Sequence, residues 1–577
     1  MIPSRVITDC TRPLVSSPLF DDGNLSQLDD LARLRKSFAK AKAIAISHGI
    51  NSYDVLHCTE NFWNMYLDPI IVRDPSSFTL LTIQLNLVAG MVCYFADKSR
   101  DSDLARLVER IVSFDISTAF LLTEVGHGWD ALNLETTATL LPDGSFDLHT
   151  PRRGAEKYMS STLPDVGHPC FGVVMARLIT DQETDRGVRT FVIQLNDGKT
   201  MCNGITARRL PGMSGIPPLG HAMTRFNHVT LPPTALLGPL ETILPSRHQF
   251  LADGWRINIG AATATAASTI HPLQIACYIV TKYSQRRKMG TPPVPIISFR
   301  TQYRPILHAL SRSLVFRAFF IQLRSAGHFD VAWENRDDFA EFQVRSGYAT
   351  IFKVLGMNLT RESLADLRER CGAQGLFVHN QLLDGEATFK GSMIAEGESL
   401  GLSIRLAVEV LLGRYVFPPS QNPKHPLSLH ESSIIAELQS LISLSNKTED
   451  TRSNRNKRFN DLVLPQANFL VEAIGARMAY ESALLDPQMD PSVVELFSIG
   501  CIQRDLAWYV EHRVLSRQEV LAREADVLDA LLPKLEELLS RTGIEPYVYA
   551  KICREDLWNE FIDGLPVVAG DELKAKL

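Results

Sequence analysis

The sequence predicts a mainly α-helical chain with a central β domain, on three observations. Apolar residues recur at three- and four-residue steps through the first 120 positions. The period changes to two between about residues 135 and 231, and helical spacing returns after Gly254. Strands do not alternate singly with helices, which disfavours a doubly wound parallel sheet. The changes divide the chain into an N-terminal helical domain (1–120), a central β domain (121–245), a helical bundle (246–417) and a C-terminal helical domain (418–577).

The elements follow in order. Leu28, Leu31, Leu34 and Phe38 mark one helical face, and Leu104, Leu107, Val108 and Ile111 another. Thr136–Leu141 and Ser145–Thr150 flank the turn triplet Pro142-Asp143-Gly144 and predict paired strands. Further strands are expected at Phe171–Ile179, Thr190–Leu195, Ile205–Leu210 and Phe226–Leu231. Phe417–Pro426 carries four prolines in ten residues and cannot continue a helix, so it is expected to be a linker. The polar stretch Asn446–Arg458 reads as a solvated loop. Leu521, Ala525, Leu528, Leu532, Leu535 and Leu539 then form a core-facing helical stripe.

Composition removes several functions. The chain has 577 residues, 45% hydrophobic and 21% charged, within the range of folded globular proteins. Fifty-nine Lys and Arg against 65 Asp and Glu give a net charge of -6, without the basic excess that nucleic acid requires. The nine cysteines are scattered and form no CxxC pair, so neither a metal centre nor a disulfide framework is expected. Asp9 and three prolines leave no apolar leader in the first twenty residues. Pro75–Ala96 and Ile257–Thr281 are long and uncharged, but their internal Thr, Gln, Asn and Pro favour buried helices over membrane spans. Ala575-Lys576-Leu577 is a small-basic-leucine ending of the kind the peroxisomal import receptor reads, which makes that receptor an expected partner and the peroxisome the expected location.

No G-x-S-x-G, H-E-x-x-H or Walker A string is present. Gly126–Ala131 fits a loose G-x-G-x-x-A dinucleotide fingerprint, but a strand hairpin follows where that motif needs a helix. The longer string is more informative. Thr123-Glu124-Val125-Gly126-His127-Gly128, followed by Leu134-Glu135-Thr136-Thr137-Ala138-Thr139, resembles the flavin-contacting segment of acyl-CoA oxidases, the peroxisomal branch of the acyl-CoA dehydrogenase superfamily. Glycines there let backbone amides approach a flat ring, and a hydroxyl such as that of Thr123 can bond its polar edge.

The resemblance continues in order. Gly187–Leu195 and Phe226–Pro232 are similar to the family's strands, and Tyr283–Gly290 to its Y-S-x-x-R-x-x-F-G helix end, where an arginine reaches the FAD pyrophosphate. Arg286 takes that place; a guanidinium fork suits phosphate oxygens. Gln302 corresponds to a glutamine on the next helix. Arg368–Gly375 resembles a loop approaching the phosphates, which assigns Gly372, Gln374 and Gly375 to the cofactor. Ile394–Ser399 is similar to the turn that carries the superfamily's catalytic base, here Glu396. Removing an α-proton from a thioester near neutral pH calls for a carboxylate of raised pKa, which burial can supply.

The resemblance therefore implies an acyl-CoA dehydrogenase/oxidase fold with an additional C-terminal helical domain. It implies FAD as cofactor, contacted by Thr123, Gly128, Ser160, Ser161, Arg286, Gln302, Gly372, Gln374, Gly375 and Glu398, with Glu124 and Gly397 at the substrate and Glu396 as base. Glu398 equally suits the first turn of a helix as a dipole partner. The implied reaction is α,β-desaturation of an acyl-CoA to the trans-2-enoyl-CoA with reduction of O2 to H2O2, in a homodimer. Two alternatives stay open: a dehydrogenase serving an electron-transfer flavoprotein, and a flavin-poor scaffold paralogue. The departures motivate the second. Tyr158 and Met159 replace paired tryptophans, Ser160-Ser161-Thr162 a glycine-rich turn, Met289 a phenylalanine, Ala373 a glycine and Ser399 an asparagine.

Overall fold

The computed structural model describes residues 9–21, 28–128, 130–180, 184–213, 217–241, 250–251, 254–329, 339–395, 397–445 and 457–568. It is mainly helical, with the strands confined to 117–231 and one short hairpin at 288–295.

The N-terminal part begins with helix α1 (Asp30–Ser47), capped by the Asp29 carboxylate, which accepts from the Ala32 amide at 2.7 Å. Leu34 and Phe38 face the core as their spacing predicts, whereas Leu28 and Leu31 are left exposed. The run Pro75–Ser99 is continuous helix with a wider π segment at Thr82–Ala89. It is long and apolar enough to cross a membrane, as is Arg300–Ser325, but most of each is buried inside the protein. Gln84 shows why polar residues interrupt the run. Its amide donates to Ile111 O (2.8 Å) and Ile116 O (2.7 Å) and accepts from Thr118, tying helix α2 (Ser102–Val112) and the first strand to it.

The β domain holds two sheets. In the larger, β5 (Cys170–Thr180) is central: it runs parallel to β1 (Ser117–Leu121) and β2 (Thr137–Leu140) and antiparallel to β6 (Thr184–Asn196). The expected hairpin is there, with β2 and β3 (Phe146–His149) in register from Thr137 opposite His149 to Leu140 opposite Phe146. The smaller sheet orders β4 (Lys157–Ser160), β8 (Ala222–Phe226) and β7 (Ile205–Arg209). The run Phe226–Leu231, expected as one strand, is corrected to two. His228 at φ 51° turns the chain, so β8 ends in the small sheet and β9 (Val229–Leu231) pairs with β3 in the large one. That corner joins the two sheets.

The bundle is built on α3 (Arg256–Arg286), which packs against both α4 (Arg300–Ser325) and α5 (Phe339–Glu369). Two shorter helices, α6 (Leu382–Ile394) and α7 (Ser399–Leu411), close it. After the proline-rich connection come α8 (Pro426–Ser445), α9 (Ala467–Leu484), α10 (Pro491–Arg504), α11 (Arg517–Leu531) and α12 (Leu535–Thr542). Helices α9 and α10 lie against α4, so this region shares one core with the bundle. The leucine stripe is not one helix face: Leu532–Lys534, with Pro533, forms a 3-10 turn, and Leu521 is exposed while Val520 and Leu531 take core positions. The stretch 446–456 and the ending Ala575-Lys576-Leu577 lie outside the described residues.

Candidate active site

The segment after β1 turns back on itself around a buried charge. The Glu124 carboxylate accepts from the amides of Glu135 (2.8 Å) and Thr136 (3.0 Å) and pairs with the Lys157 ammonium at 3.0 Å. Both side chains are fully enclosed. Lys157 also donates to Leu122 O (3.2 Å) and Met175 O (2.6 Å). Burial pulls its pKa down to about 8, against the Glu124 charge that supports it. Glu124, expected at the substrate, thus spends its carboxylate on holding the Thr123–Gly128 turn against the start of β2 and against β4. Sequence reasoning passed over Lys157 because a lysine in a strand ordinarily points to solvent.

Outside this pair lies a second charge cluster. His127 Nε2 is 2.7 Å from Glu135 Oε1, and Arg152 Nε donates to Glu135 Oε2 at 2.6 Å. The Arg152 bond first, then that of His127, brings Glu135 down to about 2; the bond to Glu135 in turn raises His127 above its ordinary value. Gly128 is exposed, with nothing within 4 Å of where a Cβ would stand. Thr123 is half-buried; its carbonyl receives the Tyr158 amide (2.9 Å), and among the described residues its hydroxyl has no hydrogen-bond partner.

Strand β4 carries Tyr158, Met159 and Ser160, three of the departures from the family pattern. Tyr158 and Met159 are exposed, and Met159 sits at φ 68°, where β4 slips its register against β8. The Met159 carbonyl accepts from His221 Nδ1 at 2.5 Å, and burial lowers the His221 pKa from its ordinary value. Ser160 donates to Phe120 O (2.7 Å) and Ser161 to Leu219 O (2.5 Å). Both hydroxyls are therefore committed to backbone, leaving backbone groups as what these serines can offer a ring.

A second group of expected residues gathers at the end of the bundle. Gln302 on α4 donates to Ser284 Oγ (2.8 Å) on α3 and to Arg370 O (2.9 Å) just past α5, so one amide ties three helices. Arg286 donates from one amino nitrogen to Ile552 O (2.7 Å), while its buried Nε has no partner. Gly372 lies at φ 57° and faces open space. Gly375 is buried against the Arg368 carbonyl, closer than any side chain allows. Gln374 accepts from Asn380 Nδ2 at 3.0 Å through both its carbonyl and its side-chain oxygen. No hydrogen bond or ion pair among the described residues joins this group to the Thr123–Ser161 group.

Glu396 lies outside the described residues; its flanks do not. Lys353 on α5, fully buried, donates its ammonium to the Ala395 carbonyl. Gly397 adopts φ 97°, a conformation that favours glycine, with Leu402 against its Cα. Glu398 is the N-cap of α7, accepting from Leu400 N (3.0 Å) and Gly401 N (3.1 Å). The buried Ser399 hydroxyl is without a partner. Lys353 was not legible beforehand: nothing in a helical sequence marks one lysine as turned inward.

The described residues suit a flat, phosphate-bearing cofactor. Thr123 offers an unused hydroxyl beside an open glycine, and Arg286 keeps an unpartnered Nε. Among the described residues one metal-like trio occurs, Cys10, His48 and Asp68. His48 Nε2 is spent on Asp68 at 3.0 Å, and Cys10 Sγ lies 3.7 Å from both ring nitrogens, off either lone-pair direction, which reads as a polar cluster.

Comparison with known proteins agrees with the fold. Residues 261–411 match the acyl-CoA oxidase C-alpha1 domain. Acyl-coenzyme A oxidase acox-3 of Caenorhabditis elegans is 25% identical over 392 residues, 61% of this chain and 57% of that protein. Peroxisomal acyl-coenzyme A oxidase 2 of Oryctolagus cuniculus is 24% identical over 338 residues, 54% of this chain and 48% of that protein. The matched part thus spans about half the length of these relatives. The crystal structure of acyl-CoA oxidase 1 from Yarrowia lipolytica superimposes with TM-score 0.82 at 16% identity, covering 96% of this chain and 89% of that one. Acyl-CoA oxidase-2 of Caenorhabditis elegans, bound with FAD, ascaroside-CoA and ATP, gives 0.79 at 18% identity over 97% and 91%. This chain is similar to the acyl-CoA oxidases: its overall fold matches theirs, and its residues 261–411 match their C-alpha1 domain.

Proposed function

We propose that the chain is an FAD-dependent acyl-CoA oxidase, which desaturates an acyl-CoA thioester between its α and β carbons and passes the electrons to O2. The Thr123–Gly128 turn carries the reading. Its Glu124–Lys157 anchor fixes the turn internally, so the Thr123 hydroxyl and the open side of Gly128 are left for a ligand. Bound FAD would supply the hydride acceptor and the route to oxygen. In this reading Thr123 and the backbone of Gly128, Ser160 and Ser161 orient the ring. Arg286, Gln302 and the Gly372–Gly375 turn belong to the phosphate end, completed across a homodimer contact.

Glu396 takes the α-proton. Its backbone amide would hold the thioester oxygen as negative charge develops there. Glu398 caps the helix that follows and keeps this turn in place. Relatives named as peroxisomal support a peroxisomal location. Oxygen consumption by the FAD-reconstituted protein with a panel of acyl-CoAs tests the reading. Peroxide formed in step with enoyl-CoA is expected. Turnover only with an electron-transfer flavoprotein would assign a dehydrogenase, and failure to take up FAD would leave the scaffold.

A further inference from the structure

A cavity of about 610 Å³ lies outside the group just discussed. It is enclosed by the outer faces of α3 and α4, the turn between α9 and α10, helix α12 and the segment 543–547. Its size falls in the range of small-molecule sites, which run from about 300 to 1,000 Å³. One wall is apolar: Leu314, Ala318 and Ile321 of α4, Val493 of α10, and Leu538 and Leu539 of α12.

Arg317 projects from that wall. It is half-buried, lines the cavity, and makes no hydrogen bond or ion pair with any described residue. The neighbouring charges are otherwise engaged. Lys282 pairs with Glu536 at 2.8 Å and Asp490 with Lys534 at 2.7 Å. Arg541 donates to Gln488 O (2.8 Å), Glu545 accepts from Tyr278 (2.9 Å), and Asp486 accepts from the Gln488 amide at 3.0 Å. Asp486 is the acid that acts on Arg317 electrostatically, yet it stays beyond ion-pair contact. Burial lowers the Arg317 pKa from its ordinary value, but an arginine does not give up its proton in a protein. This permanent charge has no ion-pair partner among the described residues, which leaves its nitrogens open to a ligand's oxygens. A guanidinium offers a planar fork that fits carboxylate or phosphate oxygens.

We propose that this cavity binds a small oxyanion-bearing molecule, a carboxylate or a phosphate, with its oxygens on Arg317 and its remaining atoms along the Leu314–Ile321 and Leu538–Leu539 wall. The site shares no lining residue with the expected flavin and thioester contacts and does not rest on the oxidase reading. Bound oxyanion would stitch α4 to the α9–α10 turn and α12, and so brace the C-terminal helices against the bundle.

Isothermal titration calorimetry on the full-length protein tests this, with sodium octanoate, 1-octanol and inorganic phosphate as probes. Octanoate binding without octanol binding would assign the oxyanion to a fatty carboxylate, and phosphate binding would assign it to a phosphate. Either should weaken at least about tenfold in Arg317→Met, a change readable as an affinity ratio. Arg317→Lys keeps a cation and should lose less, which serves as the folded control if the methionine variant is unstable. Thermal unfolding should respond in parallel, with octanoate or phosphate raising the midpoint of the wild type and not of Arg317→Met. Absence of binding by both anions, or equal binding by wild type and Arg317→Met, would overturn the proposal.

Discussion

At the scale of single residues, the buried Glu124–Lys157 pair organises the candidate site. An ion pair removed from water repays its desolvation only while both partners are present. Lys157→Met should therefore destabilise the protein by about 3–5 kcal/mol, because it strands the Glu124 carboxylate. The double variant Glu124→Gln, Lys157→Met should recover much of that loss, and urea unfolding of the three variants measures both. Equal losses in the single and double variants would show that the two charges do not act as a unit. The pair also explains what the sequence could and could not reveal. The string Thr123–Gly128 stands out by resemblance, but the partner of its glutamate lies on a different strand, 33 residues on. Only the folded sheet brings Lys157 to it.

At the scale of elements, the glycine turn after α5 separates two kinds of constraint. Gly375 is packed against the Arg368 carbonyl, where a methyl group has no room, whereas Gly372 faces open space at φ 57°. Gly375→Ala should cost about 3 kcal/mol through overpacking, and Gly372→Ala about 1 kcal/mol through backbone conformation alone. Thermal denaturation distinguishes them, and a smaller loss for Gly375→Ala would contradict the packing account. Elements were legible where local signals agree. Pro142-Asp143-Gly144 between alternating runs marks the β2–β3 hairpin, whose register the folded sheet sets. They were obscured where a single residue redirects the chain. His228 at φ 51° splits Phe226–Leu231 between two sheets, and Pro533 breaks the leucine stripe into two helices. Apolar periodicity carries on through both points, so a period count cannot register them.

At the scale of the whole molecule, the C-terminal helices are held to the bundle by buried charges as well as by apolar packing. Glu524 of α11 accepts from His308 Nε2 (2.7 Å) and Arg304 Nε (2.8 Å), both on α4. Burial opposes the ionised form, but the His308 and then the Arg304 bonds outweigh it and bring Glu524 down to about 2. A carboxylate held below its ordinary value stabilises the fold above about pH 4.5 and loses that contribution as the pH falls towards about 2. Stability measured from pH 6 down to about 2 should fall through that window, and Glu524→Gln should start lower and fall less. A parallel decline in both would contradict the assignment. Such long-range pairs are invisible to periodicity, which explains why the helical regions could be delimited while their mode of attachment could not.

The central claim is that Glu396 supplies the base for a flavin-linked desaturation. The most direct test is anaerobic titration of the FAD-reconstituted protein with acyl-CoA, following the flavin absorption. Wild-type protein should bleach with its substrate, and Glu396→Gln should bind the same acyl-CoA, seen as a shift of the oxidised spectrum, without bleaching. Bleaching of Glu396→Gln at the wild-type rate would contradict the account.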